Sequence, residues 1–410
     1  MLIIVFSIIC LTGCGLVNTL RIRNANDDIH PMWEGKQFTV LKTHYIGVKP
    51  YVEVAINGID GFKFLIDTGA SFSILMDTAK VKQLELKEGY QLQLHGWGDE
   101  EYSPAYQTEA KKLSLAGVDF NDVTFAYLPL SSSNYYLHHD ELIFDGVLGH
   151  DVLHHFSWKF DKKNNQISIS KKPYQLAGDE ISLAFDVSLS KLVINSQIDF
   201  GQNQIVPQEL IIDTGSRHYL KVNAAFINNE SIKLPEPQIT AADFGLSGQT
   251  IHQRVTLPNL ILGDLSLTDV KTNVIGNLDD DEDEYWIIGS ALLNQFVTVI
   301  DYHSSMLHII PYSGVSYRSH YNLLGLELRK LNSGDFIVRY TFPQMVASNF
   351  DFKKGDIINQ IDGIPSKDIS LEQWLSISDS AGNHEICRTR KTQKCFKMES
   401  KHILGYSITD

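Results

Sequence analysis

One β-rich pattern is written twice in this chain, and that duplication limits the folds open to it more than any other feature. Tyr51-Val-Glu-Val-Ala-Ile-Asn-Gly-Ile-Asp-Gly-Phe-Lys-Phe-Leu-Ile-Asp67-Thr-Gly-Ala alternates apolar and polar residues, turns at Gly58–Gly61 and runs into an apolar strand. Leu192-Val-Ile-Asn-Ser-Gln-Ile-Asp-Phe-Gly and Glu209-Leu-Ile-Ile-Asp213-Thr-Gly-Ser repeat that course. Leu115-Ala-Gly117-Val-Asp-Phe-Asn-Asp-Val is matched by Leu262-Gly263-Asp-Leu-Ser-Leu-Thr-Asp-Val. Finally, Gly149 to Phe156 and Phe156 to Asp161 have the same spacings as Gly289 to Phe296 and Phe296 to Asp301. Three matched blocks in one order define two homologous units, at about 38–172 and 180–312.

Each unit carries an Asp on a tight loop directly after an apolar strand. Two carboxylates about 3 Å apart cannot both ionise, so they share a proton. Such a pair can activate a water and polarise a carbonyl without metal or covalent nucleophile. The repeat would bring Asp67 and Asp213 together at a pseudo-two-fold axis. Thr68 and Thr214 would then hydrogen-bond across to the opposite loop. Gly69 and Gly215 would admit backbone N–H groups to the carboxylates, and Ala70 and Ser216 would pack behind them.

The paired apolar-Asp-Thr-Gly-Ala/Ser segments, with Val147-Leu148-Gly149 and Ile287-Ile288-Gly289 downstream, resemble the pepsin and retropepsin superfamily of aspartic peptidases over about 260 residues. The resemblance implies an all-β, bilobal pair of β-barrels with Asp67 and Asp213 as the catalytic dyad. It also implies a protein or peptide substrate bound extended across the cleft, with no cofactor and no metal. In the family the apolar-apolar-Gly segment threads beneath the catalytic loop, and β-hairpin flaps close the cleft. Gly96, Trp97, Gly98 and Tyr102 are the candidates for one flap, Gly245 and Gly248 for a second. A hydroxyl after the catalytic Gly can donate to the outer oxygen of the Asp. Ser216 is placed to do this for Asp213 and Ala70 is not for Asp67. An asymmetric, only mildly acidic dyad is therefore expected, with an optimum of roughly pH 5–6.5.

Residues 320–410 differ in character. Residues 321–410 hold 12 Lys/Arg against 11 Asp/Glu, whereas the other 320 hold 23 against 38. Gly355-Asp-Ile-Ile-Asn-Gln-Ile-Asp-Gly363 resembles a PDZ domain of the kind appended to bacterial envelope proteases. By that resemblance Leu324-Gly325-Leu326 is the loop that receives a peptide C-terminal carboxylate, with the peptide added as a strand. The usual Ala-Gly-Leu before the motif is replaced by Asn349-Phe-Asp-Phe.

The N-terminus reads as an export signal over residues 1–13, too short to span a bilayer. Leu11-Thr-Gly-Cys14 resembles a bacterial lipobox, which implies lipidation of Cys14, a tether over residues 14–37 and attachment to the membrane of the cell envelope. In a host with two membranes the resemblance points to the periplasmic face of the outer one. Cys387 and Cys395 would then form a disulfide in an oxidising compartment. A net charge of −14 argues against a basic nucleic-acid surface. His150 and His154 are expected on the solvated face of a short helix, the acidic run at 279–284 in a solvated loop, and His218 as a neighbour of the site. The competing function is a non-catalytic envelope adaptor that binds extended peptides.

Overall fold

The computed structural model describes residues 17–94, 96, 103–129, 142–246, 248–277, 280–284 and 286–402. Cys14 and the flap candidates Trp97, Gly98 and Tyr102 lie outside them. The fold is the expected all-β pair of lobes with a third β-rich domain.

In the first lobe, strands Lys49–Ile56 and Ile59–Ile66 form a hairpin. Its turn places Asn57 and Gly58 at φ of 51° and 82°, backbone that an Asn-Gly pair adopts with little strain. The hairpin joins a nine-stranded sheet in which Ile59–Ile66 runs parallel to Gly146–Leu148. The second lobe repeats this with strands Lys191–Asp199 and Ile205–Asp213, the latter parallel to Ile287–Gly289, in an eight-stranded sheet. Alternate positions along these strands point inward, which is why the sequence alternates. Val52, Val54 and Ile56 face Phe62, Phe64 and Ile66 in the core, as Leu192 and Ile194 face Leu210 and Ile212.

A six-stranded sheet joins the lobes, with three strands from each. Its order is Ile181–Ala184, Met306–Pro311, Phe296–Asp301, Ser157–Asp161, Gln166–Ser170 and Phe38–Leu41. At its centre Ser157 pairs with Asp301 and Phe160 with Thr298, so the two copies of the Phe-to-Asp block run antiparallel side by side.

Residues 17–37 fold onto the first lobe, where the sequence led us to expect a tether. Residues 17–23 form a helix whose Ile22 is buried against Met76, Leu92 and Leu128. Asn26 is buried and donates to Asp151 Oδ2 at 2.6 Å and to the Thr124 carbonyl. Met32–Trp33 adds a short strand beside Val118–Leu128. Of its three apolar residues Val17 and Leu20 are exposed and Ile22 alone is buried, so the pattern draws no apolar face that would announce the helix.

The third domain is a six-stranded sheet with the helix Leu371–Asp379 packed on it. Ser370 and Gln373 cap that helix reciprocally, and Trp374 anchors it to Phe336. Cys387 and Cys395 face each other across a hairpin and are disulfide-bonded.

Candidate active site

Asp67 and Asp213 stand where each lobe's central strand ends, facing each other across the lobe boundary. The backbone conformation comes from the threading segment. Asp67 N–H donates to the Leu148 carbonyl, and His150 N–H to the Ala70 carbonyl at 2.9 Å. In the other lobe Ser290 N–H donates to the Ser216 carbonyl at 2.8 Å. Gly149 and Gly289 are needed there. A Cβ on Gly149 would lie 2.5 Å from the Phe72 backbone, and one on Gly289 2.6 Å from the His218 carbonyl oxygen.

The two loops interlock through four hydrogen bonds. Thr68 N–H donates to Thr214 Oγ1 at 3.1 Å, and Thr214 N–H to Thr68 Oγ1 at 3.0 Å. Each hydroxyl then donates onward, Thr68 to the Ile212 carbonyl at 2.6 Å and Thr214 to the Ile66 carbonyl at 2.8 Å. Both threonines are buried, so every polar atom of the interlock is satisfied inside protein. A Cβ on Gly69 would lie 2.7 Å from Asp213 Cγ, and one on Gly215 2.2 Å from Asp67 Cγ. Each loop's glycine therefore clears the space that the opposite carboxylate fills.

The Asp67 and Asp213 carboxyls lie together between the two loops, each against the glycine of the opposite one. Burial, and then the charge of Asp213, push the Asp67 carboxyl up to about 7, against the pull of Lys49 and Lys191. These lysines are equivalent. Tyr51 pairs with Leu65, two before Asp67, and Val193 pairs with Ile211, two before Asp213. Two residues further back on each strand stand Lys49 and Lys191. Lys191 Nζ donates to the Gly69 carbonyl. Burial lowers both ammonium groups from their ordinary range. Sequence reading missed the pair, although each lysine opens the strand that leads to its Asp hairpin.

One expectation about Ser216 fails. Its backbone N–H, not its hydroxyl, donates to Asp213 Oδ1, at 2.9 Å. Its Oγ instead lies 2.9 Å from His218 Nδ1, and His218 Nε2 is hydrogen-bonded to the buried Asp243. Asp243 also receives Asn273 Nδ2 at 2.8 Å and Arg217 at 3.1 Å. Arg217 reaches Glu327 of the third domain at 2.8 Å, and Glu327 meets Arg339 at 2.7 Å. A chain of polar contacts thus runs from the second Asp-Thr-Gly loop into the third domain.

The flap candidates that are described come together. Gly245 pairs with Gly248 at the tip of the hairpin Ile239–Gly245 and Gly248–Leu262. A Cβ on Gly96 would lie 2.5 Å from Leu246 Cβ, so a residue of the first candidate touches the tip of the second. Leu324 and Leu326 are fully buried. The Gly325 amide donates to Asn322 Oδ1 at 2.9 Å, so a peptide carboxylate received there has to displace a side chain. His150 and His154 are not a solvated face. Their rings stack at 5.3 Å, and His150 packs against Tyr302 of the second lobe, because the helix lies at the lobe junction. Among the described residues, Glu385, Cys387 and Cys395 lie close enough together to hold an ion, but the disulfide takes up both sulfurs.

The family model for aspartyl protease matches residues 52–152, which span the first Asp-Thr-Gly loop and its threading segment. No curated protein matches the chain. The crystal structure of an aspartic proteinase from Irpex lacteus is similar over 67% of this chain and 98% of its own, at 14% identity and a TM-score of 0.44.

Proposed function

We propose that the chain is an aspartic endopeptidase of the bacterial cell envelope. Asp67 and Asp213 share one proton, activate a water between them and polarise the scissile carbonyl. The observation that carries the reading is the reciprocal Thr68–Thr214 interlock, which holds the two carboxylates face to face. In the reaction, the ionised carboxylate takes a proton from the water as its oxygen attacks the carbonyl carbon. The protonated partner hydrogen-bonds the carbonyl oxygen as charge develops there. Collapse of the tetrahedral intermediate then returns a proton to the leaving nitrogen. A carboxyl held near 7 keeps the singly protonated pair populated in mildly acidic to neutral solution.

The substrate is an extended peptide lying beneath the paired hairpin tips. The third domain acts as a PDZ-like recognition module. Among the described residues its strand Leu326–Lys330 pairs on one side only, with Phe336–Thr341, which leaves an edge for an added peptide strand. Lipidation at Cys14 would anchor the protein to the membrane, and the Cys387–Cys395 disulfide suits an oxidising compartment.

Digestion of a denatured protein mixture by wild type, Asp67→Asn and Asp213→Asn tests the activity. Wild type should cleave, and each variant should lose about 1,000-fold or more in kcat/KM while keeping its circular-dichroism spectrum. Cleavage by either variant at a near-normal rate would refute the mechanism.

A further inference from the structure

The second catalytic loop carries a serine where the first carries Ala70, yet among the described residues no hydroxyl donates to Asp213. The reason lies in where protons must sit. Burial alone would raise the Asp243 carboxyl, but His218, His252 at 3.4 Å and Arg217 hold it well below the usual range, and Asn273 Nδ2 donates to it as well. An ionised carboxylate only accepts, so His218 Nε2 must carry a hydrogen. Burial, with Lys221 and Arg217 nearby, pushes the His218 imidazole well below its ordinary range despite Asp243. The neutral imidazole that this direction favours has one N–H, which lies on the Asp243 side at Nε2. Nδ1 is left with a lone pair, and the Ser216 hydroxyl 2.9 Å away donates to it. A hydroxyl has one proton, so none remains for Asp213.

We propose that His218, fixed in its Nε2–H tautomer by Asp243, is a positioning residue that withdraws the Ser216 hydroxyl from Asp213. The effect is to give both catalytic carboxylates the same donor set. Asp67 receives one backbone amide, from Gly69 at 2.8 Å, and Asp213 one, from Ser216 at 2.9 Å. The position equivalent to His218, five residues after the Asp, is Phe72 in the first lobe. The first loop needs no such device because Ala70 has no hydroxyl to withdraw. This inference rests on the aspartic-peptidase reading for its kinetic consequence, though not for the proton arrangement itself.

Other charges also face the dyad. Lys49 and Lys191 act from the strands leading to the two hairpins, Lys221 acts on Asp213 from the strand Leu220–Asn223, and Arg217 follows the loop itself. Tyr302, from the second lobe, faces Asp67. Lys221 and Arg217 also neighbour His218, so the acidic limb of kcat/KM against pH isolates the hydroxyl only when His218→Phe is compared with and without Ser216. His218→Phe, which copies the first lobe, should free the Ser216 proton for Asp213 and move that limb down by about 0.5–1 pH unit. Ser216→Ala alone should leave the limb where it is in wild type, whatever it does to kcat. The double variant His218→Phe/Ser216→Ala should return the limb to that position. Should His218→Phe fail to fold, Asp243→Asn serves. It lets His218 carry its hydrogen on Nδ1, and only the part of its shift abolished by Ser216→Ala counts as the hydroxyl's. An unmoved limb in an active enzyme, or an equal shift in both serine backgrounds, would overturn the proposal. If wild type hydrolyses nothing, the peptidase reading fails by itself. The 15N shifts of His218 in the full chain then decide: a protonated Nε2 and bare Nδ1 from pH 5 to 8 support the relay, and a protonated Nδ1 refutes it.

Discussion

The two halves of the site share a backbone but not its support. Behind the first loop stands a small, closed network, in which Ser73 Oγ donates to Asp151 at 2.7 Å and receives Gly149 N–H at 3.1 Å. Asp151 is completed by Asn26 from the N-terminal segment. Behind the second loop stands a charged network, Ser216–His218–Asp243–Arg217–Glu327–Arg339, which ends in another domain. The tripeptide and its threonine interlock are set by the chemistry and recur in both copies. The groups that hold them are free to differ, and one half is wired to the third domain while the other is sealed within its own lobe.

The largest effect should test what is shared. Thr68→Val or Thr214→Val leaves two backbone partners unsatisfied in the core and should cost about 2–4 kcal/mol, nearly equally for the two. Urea unfolding that separated the variants by more than about 1.5 kcal/mol would break the symmetry of the interlock. Glu327→Gln tests what differs. It removes a charge between two partly buried arginines and should cost about 1–3 kcal/mol. Hydrogen exchange should quicken around residues 213–219 and not around 66–72, and equal quickening of both loops would refute the one-sided wiring.

Smaller effects sharpen the electrostatic comparison. Lys49 and Lys191 both favour ionised Asp67, so removing either makes the pair easier to protonate. Lys49→Met and Lys191→Met should each raise the acidic limb of the pH–rate profile by about 0.5–1 unit, with a downward shift as the disproof. Ala70→Ser supplies the first loop with a hydroxyl that has no histidine to take it, Phe72 being apolar. Its acidic limb should fall by about half a unit, and an upward or absent shift would show that the serine does not reach Asp67.

The interlock, the threading glycines and the lobes were legible because each is a local pattern repeated at matched spacing. Residues that act across distance were not. Asp243 lies 25 positions from His218 and Glu327 is further still, so nothing near Ser216 showed that its hydroxyl would be taken. The same limit hid the docking of residues 17–37. Asn26 matters because Asp151 is buried opposite it, and burial of an acid is invisible along the chain. His150 and His154 were misread as solvated because the lobe boundary covers a face that the helix pattern leaves polar.

The six-stranded sheet at the lobe junction has a consequence for how the molecule coheres. Its central seam, Ser157–Phe160 against Thr298–Asp301, is a ladder between two bodies rather than within one. The covalent passage between the lobes runs through residues 171–179, which are mostly exposed and lie outside any strand. What keeps the carboxylates opposed is therefore the shared ladder and the threonine interlock. The peptide link guarantees that the two bodies occur in equal number and in the right order, and the geometry of the site is that of a dimer that happens to be continuous.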